Sequence, residues 1–202
     1  MEYITNQIRL VGVMDSAPIF SHENHGRQFY SFFIGVERLS GTVDRLRVLA
    51  DLELLNEAEC AWGEHILVTG QVRSHNRMDE TGRHLMISVY AETIDLTDEA
   101  PDDLVTLTGT LCRDPVYRRT PLGREICDGM LAVNRSYRRS DYLPCIFWGR
   151  TARQIAELSA GARITLTGRL QSREYHKLLP DGETVTRTAY EVSAITAELT
   201  RD

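Results

Sequence analysis

Residues 104–111 read LVTLTGTL, and in this stretch apolar side chains alternate with threonines. Alternation at a period of two is typical of a strand with one buried face. Gly109 lies inside the stretch, and a glycine in a strand usually marks a bulge or the tight bend with which a small barrel closes. Residues 163–173, RITLTGRLQSR, repeat the pattern with Gly168. The two segments therefore predict strands of a small barrel.

The rest of this half of the chain predicts three more strands and one helix. The helix is TARQIAELSAG at 151–161, with Thr151 as its N-cap and Gly161 at its end. Turn-forming residues, LPDGET, precede the final strand. Three strands, a helix and two strands are the element order of an OB-fold, a five-stranded Greek-key barrel. We expect the three strands at 124–135, 142–148 and 184–196.

The first half of the chain is a copy of the second. A shift of 97 positions, increasing to 98 after one added residue, brings the two halves into register. The fold class is therefore all-β with one short helix per domain, as two tandem OB-folds predicted at 1–98 and 103–199. They are joined near TDEAPDD at 97–103, a polar segment of linker composition. Matching pairs include Gly12 and Gly109, Arg38 and Arg135, Asp44 and Asp141, Gly70 and Gly168, and Ser74 and Ser172.

Charge is divided unevenly between the two copies. Residues 1–100 hold 8 basic and 16 acidic side chains, a net charge of −8, whereas residues 101–202 hold 15 and 13, a net charge of +2. Only the second copy can therefore approach a polyanion easily. Lys177 is the sole lysine among 23 basic residues. Arginine presents a planar fork to phosphates and a flat face to bases, although GC-rich coding also favours it.

Aromatic side chains and arginines crowd together at 133–153, VNRSYRRSDYLPCIFWGRTAR. Strand alternation places Tyr142, Pro144, Ile146 and Trp148 on one face, and Leu143, Cys145 and Phe147 on the apolar face that suits a core. In an OB-fold the outer face of strands 2 and 3 binds oligonucleotides or oligosaccharides. Stacking of a base on an aromatic ring contributes about 1–3 kcal/mol and tolerates any base. Rings beside cations are therefore typical of a protein that binds single strands.

Three motifs carry a resemblance to a known family: RDPVYRRTPLGREICDGMLAVNRSY at 113–137, SDYLPCIFWGR at 140–150 and GARITLTGRLQSREY at 161–175. In order and spacing they resemble the bacterial and phage single-stranded DNA-binding protein family, in a tandem OB-fold variant. The resemblance covers residues 103 to about 196. It implies that four aromatic residues stack on DNA, namely Tyr137, Tyr142, Trp148 and Tyr175. We expect the surrounding arginines to bind phosphates and add cation–π contacts: Arg118, Arg119, Arg124, Arg135, Arg138, Arg139, Arg150 and Arg173.

The first copy departs from this pattern. Ser40, Arg45, Asp51 and Arg77 stand where the second copy has its four rings. We expect this barrel to keep the fold without the DNA platform and to serve assembly, a weaker auxiliary contact or a protein partner. The acidic tail through which family members recruit enzymes does not follow AELTRD, so recruitment by that route is not expected.

The function expected is binding of single-stranded DNA without strong sequence preference, in replication, recombination or repair. The expected partners are single-stranded DNA, a second copy of the chain in a homodimer of four OB-folds, and replication or recombination proteins. No leader or membrane segment is recognisable, so a cytoplasmic, nucleoid-associated protein is expected. The alternatives are a primosome-like or mobile-element adaptor without strong DNA binding of its own, and an RNA or oligosaccharide binder.

Enzymatic signals are absent from the sequence patterns. No GxSxG, GxxxxGK[ST] or HExxH motif occurs, so no catalytic residue and no cofactor are expected. His22 and His25 lie in a predicted hairpin loop without the neighbours that a zinc site needs, and no metal is expected. The cysteines have no CxxC spacing and are expected to be small buried hydrophobic residues: Cys60, Cys112, Cys127 and Cys145.

Overall fold

The computed structural model of the chain describes residues 5–79, 82–136, 139–178 and 182–200. In the first half the elements are β1 (Asn6–Met14), β2 (Ile19–Asn24), β3 (Arg27–Glu37), β4 (Val43–Asp51), α1 (Leu52–Ala58), β5 (His65–Asp79) and β6 (Gly82–Leu96). In the second half they are β7 (Asp102–Leu111), β8 (Val116–Arg119), β9 (Glu125–Arg135), β10 (Arg139–Trp148), α2 (Gly149–Ala156), β11 (Arg163–Leu178) and β12 (Thr184–Leu199).

The element order confirms two tandem OB-folds, with one short strand added to each. β2 and β8 are not among the five strands predicted for each copy, and each pairs with the strand that follows it. The reason is a tight hairpin: His25 and Gly26 both have positive φ, at 49° and 75°, and Gly123 has φ 78°. Such turns match the twist of the strands that they join.

The helices differ in how they begin. Asp51 caps α1, because its side chain accepts a hydrogen bond from the Leu54 amide at 2.8 Å. The prediction of Thr151 as the cap of α2 is wrong, since Trp148 occupies the N-cap position without a side-chain bond and Gly149 turns the chain at φ 52°. Neither helix is long and apolar enough to cross a membrane, a finding that covers the described residues.

Each barrel closes through a second pairing of its first strand and a parallel contact of its last. β1 pairs with both β5 and β3, and β4 runs parallel to β6; β7, β11, β9, β10 and β12 repeat this arrangement. The strand register shifts at Gly70 and at Gly168. A Cβ atom on Gly168 would lie 2.4 Å from the Ser193 carbonyl oxygen, which confirms the predicted role of this glycine in barrel geometry.

Apolar side chains from both barrels form the core. Phe32 and Leu46 are fully buried in the first barrel, as are Leu131 and Phe147 in the second. Cys127 and Cys145 are buried as expected, and Cys60 is partly buried. The expectation for Cys112 is wrong: it is exposed, because it follows the last residue of β7 where the chain leaves the barrel.

β1 and β7 join the two barrels into one continuous sheet of 12 strands. They are antiparallel, and Ile8 lies opposite Val105. These two residues occupy equivalent positions in the two copies, so the ladder is symmetric about a pseudo-twofold axis that passes between them. The chain therefore resembles a covalently linked dimer with an interface made of the same surface from both halves.

Two buried carboxylates reach across this interface in a reciprocal manner. Asp141 of the second barrel accepts hydrogen bonds from the Ser74 amide at 2.7 Å and from Arg73 at 3.2 Å. Asp44 of the first barrel accepts from the Ser172 amide at 2.7 Å and from the Ser172 hydroxyl at 3.0 Å. Asp44 and Asp141 are equivalent in the repeat. Each barrel therefore supplies one buried carboxylate and one strand whose serine binds the carboxylate of the other barrel.

We expect Asp141→Asn to lower the free energy of unfolding by about 2–4 kcal/mol, because it leaves buried arginine nitrogens without a counter-charge. Urea denaturation would measure the change. Asp128→Asn is the matched control in the same barrel, since Asp128 forms an exposed pair with Arg118, and a change below about 1 kcal/mol is expected there. Equal effects of the two substitutions would contradict a special role for Asp141.

A third equivalent pair differs in chemistry between the barrels. In the first, the Asn6 side chain donates to the Val72 carbonyl at 2.7 Å and accepts from the Val72 amide at 2.9 Å. In the second, Asp103 accepts from the Leu170 amide at 3.1 Å. Burial raises the pKa of Asp103 to about 7, since a protonated carboxyl is favoured away from water.

The raised pKa of Asp103 predicts that stability falls as the pH rises. An unfolded aspartate titrates near about 4, so between about pH 4 and 7 the folded state holds more protons, and the free energy of unfolding decreases with pH across that window. Asp103→Asn removes this cost and restores the donor that Asn6 has. The free energy of unfolding of this variant should exceed that of the native chain by about 1–3 kcal/mol at pH 8. At pH 4.5 the difference should be much smaller.

Thermal unfolding across pH measures this effect. Asp102→Asn is the neighbouring control, since the Asp102 side chain is half exposed and pairs with Arg9. A gain from Asp103→Asn that is the same at both pH values would show that Asp103 does not titrate in this window.

Candidate nucleic-acid interface

β10 carries the predicted ring face of the second barrel. Tyr142 is 50% exposed and Trp148 is 37% exposed, whereas Leu143, Cys145 and Phe147 are buried on the opposite face. The predicted alternation is therefore confirmed for these five residues. Ile146 departs from it: this side chain was assigned to the open face but is buried, at a point where β10 runs beside β12.

Two residues of this face are held by neighbouring strands, Trp148 through its ring and Tyr142 through its backbone. The Trp148 indole N–H donates to the Ser193 hydroxyl at 3.0 Å, so β12 fixes one edge of the ring. The Tyr142 amide donates to the Ser74 hydroxyl at 2.7 Å, which anchors this residue to the first barrel. Tyr175 lies on β11 and is 37% exposed. Stacking is favoured by rings that are already fixed, because less side-chain entropy is lost on binding.

Two predicted site residues, Tyr137 and Arg138, lie outside the described residues. The assignment of Tyr137 remains a prediction from the resemblance, and that of Arg138 a prediction from the arginines around the rings.

The predicted phosphate-binding arginines divide into two groups. Some are paired with carboxylates: Arg118 with Asp128 at 2.5 Å, Arg119 with Glu125 at 3.6 Å, Arg135 with Asp141 at 3.6 Å and Arg173 with Glu191 at 4.0 Å. Arg124, Arg139 and Arg150 are exposed and have no ion-pair partner within the described part of the chain. The unpaired arginines are more available to a phosphate, because each paired arginine must first release its carboxylate.

One carboxylate on this surface, that of Glu125, is stabilised in its charged form by its donors. The Tyr117 hydroxyl donates to Glu125 at 2.6 Å and lowers the pKa of that carboxyl, with Arg153 and Arg119 acting in the same direction. Glu125 therefore stays charged at neutral pH and competes with phosphate for Arg119.

The first barrel has a groove that comparison of equivalent positions did not predict. Its volume is about 510 Å³, and its lining includes Ser31, Arg47, Arg73, His75 and Tyr90, together with Arg135 from the second barrel. The Arg73 guanidinium lies 5.9 Å from the centre of the Tyr90 ring. His22 stacks on Phe29 at the rim, with ring centres 5.0 Å apart. Rings and cations thus occur together here as well.

Next to this groove, two arginine side chains lie over the ring of Phe33, a residue of β3. The Arg45 guanidinium lies 4.2 Å from the ring centre and that of Arg47 lies 5.4 Å from it. Arg45 stands where the second barrel has Tyr142, so a flat guanidinium replaces a flat ring. Partial desolvation, followed by the charges of Arg47 and other neighbours, lowers the pKa of His75.

One sequence signal would have pointed to Phe33. In β3, FYSFFIGV, the core positions Phe32, Ile34 and Val36 alternate, which leaves Phe33 on the outer face. A large ring at an outward position is the same signal that identified Tyr142. It was missed because only the four ring positions of the second barrel were compared, and Phe33 is equivalent to none of them.

Comparison with known proteins agrees with this geometry. The model of the family described as "Single-strand binding protein family" matches residues 103–200. "Single-stranded DNA-binding protein 1" of Lactococcus lactis is 38% identical over 78 residues, which cover 35% of this chain and 52% of the relative. "Single-stranded DNA-binding protein A" of Bacillus subtilis is also 38% identical over 78 residues, covering 35% of this chain and 45% of the relative. The chain thus spans about half the length of these curated relatives.

A solved structure matches both barrels together. The wild-type single-stranded DNA-binding protein from Thermus aquaticus superposes with a TM-score of 0.78 and 24% identity, over 98% of this chain and 93% of the other. At that identity the likeness establishes the tandem fold. The family model matches the half that contains the exposed Tyr142 and Trp148. The second barrel, at residues 103–200, thus matches the single-strand binding protein family.

Proposed function

We propose that this protein binds single-stranded DNA without strong sequence preference and acts in replication, recombination or repair. The observation that carries the proposal is the outer face of β10: Tyr142 and Trp148 are exposed beside unpaired arginines, in the barrel that matches the family. Bases stack on the rings and phosphates bind the arginines. Because every base has a π face, such a surface distinguishes single strands from duplex but not one base from another.

Binding of this kind depends on salt. Each phosphate that meets an arginine releases condensed counterions, so affinity falls as salt rises. Arg124, Arg139 and Arg150 contribute most, since Arg118 and Arg119 already have carboxylate neighbours. An adaptor without DNA binding of its own, the alternative function, predicts no binding even at low salt.

Tyr142→Ala and Trp148→Ala should each weaken binding to oligo(dT) by about 1–3 kcal/mol, or roughly 5-fold to 150-fold, through loss of one stacked base. Fluorescence anisotropy of a labelled oligonucleotide measures the change without relying on tryptophan emission. Trp62→Ala is the matched control: Trp62 is 72% exposed, in the turn after α1 of the first barrel. Unchanged affinity in both β10 variants would remove this face from the site.

The two barrels have different roles in this proposal. Residues 103–199 form the main DNA-binding domain, with Tyr137, Tyr142, Trp148 and Tyr175 as stacking residues. Residues 1–98 form a domain for assembly, supported by the β1–β7 ladder and the Asp44 and Asp141 contacts. The groove beside Phe33 and Tyr90 supports a weaker auxiliary contact with the same strand.

Two chains pair in solution under this proposal, which gives four barrels per particle. Support comes from apolar side chains that are exposed on the two central strands and on β12: Val13 of β1, Leu104 of β7, and Ile195 and Leu199 of β12. Light scattering should therefore give twice the 23.0 kDa of one chain. A mass of one chain at micromolar concentration would contradict the homodimer.

The remaining elements of the proposal are binding without catalysis, association with the nucleoid in the cytoplasm, and contact with replication or recombination proteins. They follow from the proposed DNA binding. None requires a cofactor or a metal ion.

A further inference from the structure

The two barrels are held together at two equivalent contacts beside the β1–β7 ladder, and each contact is centred on a buried carboxylate. At the Asp44 joint, Asp44 accepts hydrogen bonds from the Ser172 amide at 2.7 Å and from its hydroxyl at 3.0 Å. Arg38 donates to Asp44 at 2.6 Å and to the Ser172 carbonyl oxygen at 3.2 Å. At the Asp141 joint, Asp141 accepts from the Ser74 amide at 2.7 Å. The same carboxylate–serine contact thus occurs at both joints.

A second carboxyl group lies beside the Asp44 joint. Asp103 of β7 and Asp44 line the same cavity, whose volume is about 100 Å³. The Asp103 residue is 8% exposed, and its side chain accepts a hydrogen bond from the Leu170 amide at 3.1 Å. The equivalent residue in the repeat is Asn6, a neutral amide that both donates to and accepts from the Val72 backbone. The two joints therefore differ by one acidic group.

The charged groups around Asp103 come from both barrels. The carboxylates of Asp44 and Asp102 disfavour its ionised form, whereas Arg169 of β11 favours it. On β1 the residue opposite Asp103 is Leu10, which carries no charge. Burial is the largest influence and raises the pKa of Asp103 to about 7. Two further charged residues line the cavity, Glu37 and Arg38.

Ionisation of Asp103 places two carboxylates in one small cavity between the barrels. A volume of about 100 Å³ has room for only a few water molecules. Buried like charges repel each other, and a closed cavity cannot supply the water that an ionised carboxylate needs. Opening the cavity hydrates Asp103 and separates it from Asp44. Because Asp44 is bonded to Ser172 of the other barrel, opening breaks that contact.

We propose that the Asp44 joint is a pH-sensitive joint between the barrels, closed when Asp103 is protonated and opened when Asp103 is ionised. The Asp141 joint has Asn6 in place of the second carboxyl, so it stays closed together with the β1–β7 ladder. The first barrel then moves relative to the second about this ladder. The inference goes beyond the proposed function, since it concerns the joint alone and holds whether or not the chain binds DNA.

The direction of the pH dependence follows from the protons that each state holds. An aspartate exposed in the open state titrates near about 4. Between about pH 4 and 7 the closed state therefore binds more protons than the open one, and opening becomes easier as the pH rises through this window. Above about pH 7 Asp103 is ionised in both states, so the effect levels off.

Hydrogen exchange of single amides in the native chain tests the proposal, because each joint contains one serine amide bonded to a carboxylate. The protection factor of the Ser172 amide, measured by NMR and corrected for the intrinsic pH dependence of exchange, should fall at least about 10-fold between pH 5 and pH 7; one titrating group allows at most about 100-fold over this range. The Ser74 amide is the internal control, and its protection factor should change less than about twofold.

Three substitutions assign the effect to Asp103. With Asp103→Asn, the protection factor of the Ser172 amide should no longer depend on pH. Asp102→Asn is the neighbouring control and should leave the pH dependence in place, since the Asp102 side chain is half exposed and paired with Arg9. Asn6→Asp places a carboxyl at the equivalent position of the first barrel, so the Ser74 amide should become pH-dependent in that variant.

The measurement on the native chain requires no variant to fold. A Ser172 protection factor that is constant between pH 5 and pH 7 would overturn the proposal. Equal changes at Ser172 and Ser74 would overturn it as well, because Asp103 would then affect the stability of the whole chain and not one joint. The same conclusion would follow from a pH dependence that persists in Asp103→Asn, or from a constant Ser74 protection factor in Asn6→Asp. Absence of DNA binding would refute the proposed function and leave these outcomes unaffected.

Discussion

The antiparallel pairing of β1 with β7 is the interaction on which the rest of this molecule depends. It turns two barrels that share a chain into one sheet with a pseudo-twofold axis, and it places Ile8 against Val105 at that axis. Asp44 and Asp141 extend the same symmetry, each bonded to a strand edge of the other barrel. Because buried carboxylates are stable only with donors on several sides, these contacts hold the barrels in one relative orientation.

That fixed orientation determines what the surface can do. Ser74 is bonded to both Asp141 and the Tyr142 amide, so the same contact that joins the barrels also anchors the strand that carries the stacking rings. The His84 ring of the β5–β6 hairpin contacts Arg187 of the β11–β12 hairpin at 2.8 Å, and Arg77 and Tyr175 line a cleft of about 530 Å³ beside this contact. The contact that joins the barrels and the proposed binding face therefore share Ser74.

The two copies also show how a repeat diverges while its fold is kept. Glycines at the bulges remain in both, since any Cβ there would collide with a backbone carbonyl. Surface chemistry is free to change, since Tyr142 corresponds to Arg45 and Tyr175 to Arg77. In a third pair, which is buried, Asn6 corresponds to Asp103. The first two replacements exchange one flat group for another that can stack and also carries charge. The third exchanges a neutral amide for a carboxyl whose pKa is raised by burial.

Period-two alternation, the repeat and the glycine positions determined the fold class, the two barrels and the outward direction of Tyr142 and Trp148, because these features depend on local backbone geometry and on one buried face per strand. The tertiary structure decided four other features: the burial of Ile146, the carboxylate partners of Arg118 and Arg119, the position of the Phe33 ring beside Arg45, and the cleft on the axis. Each of them depends on residues that are distant in sequence or on the other barrel, and the register between the two barrels is set by packing that no local pattern encodes.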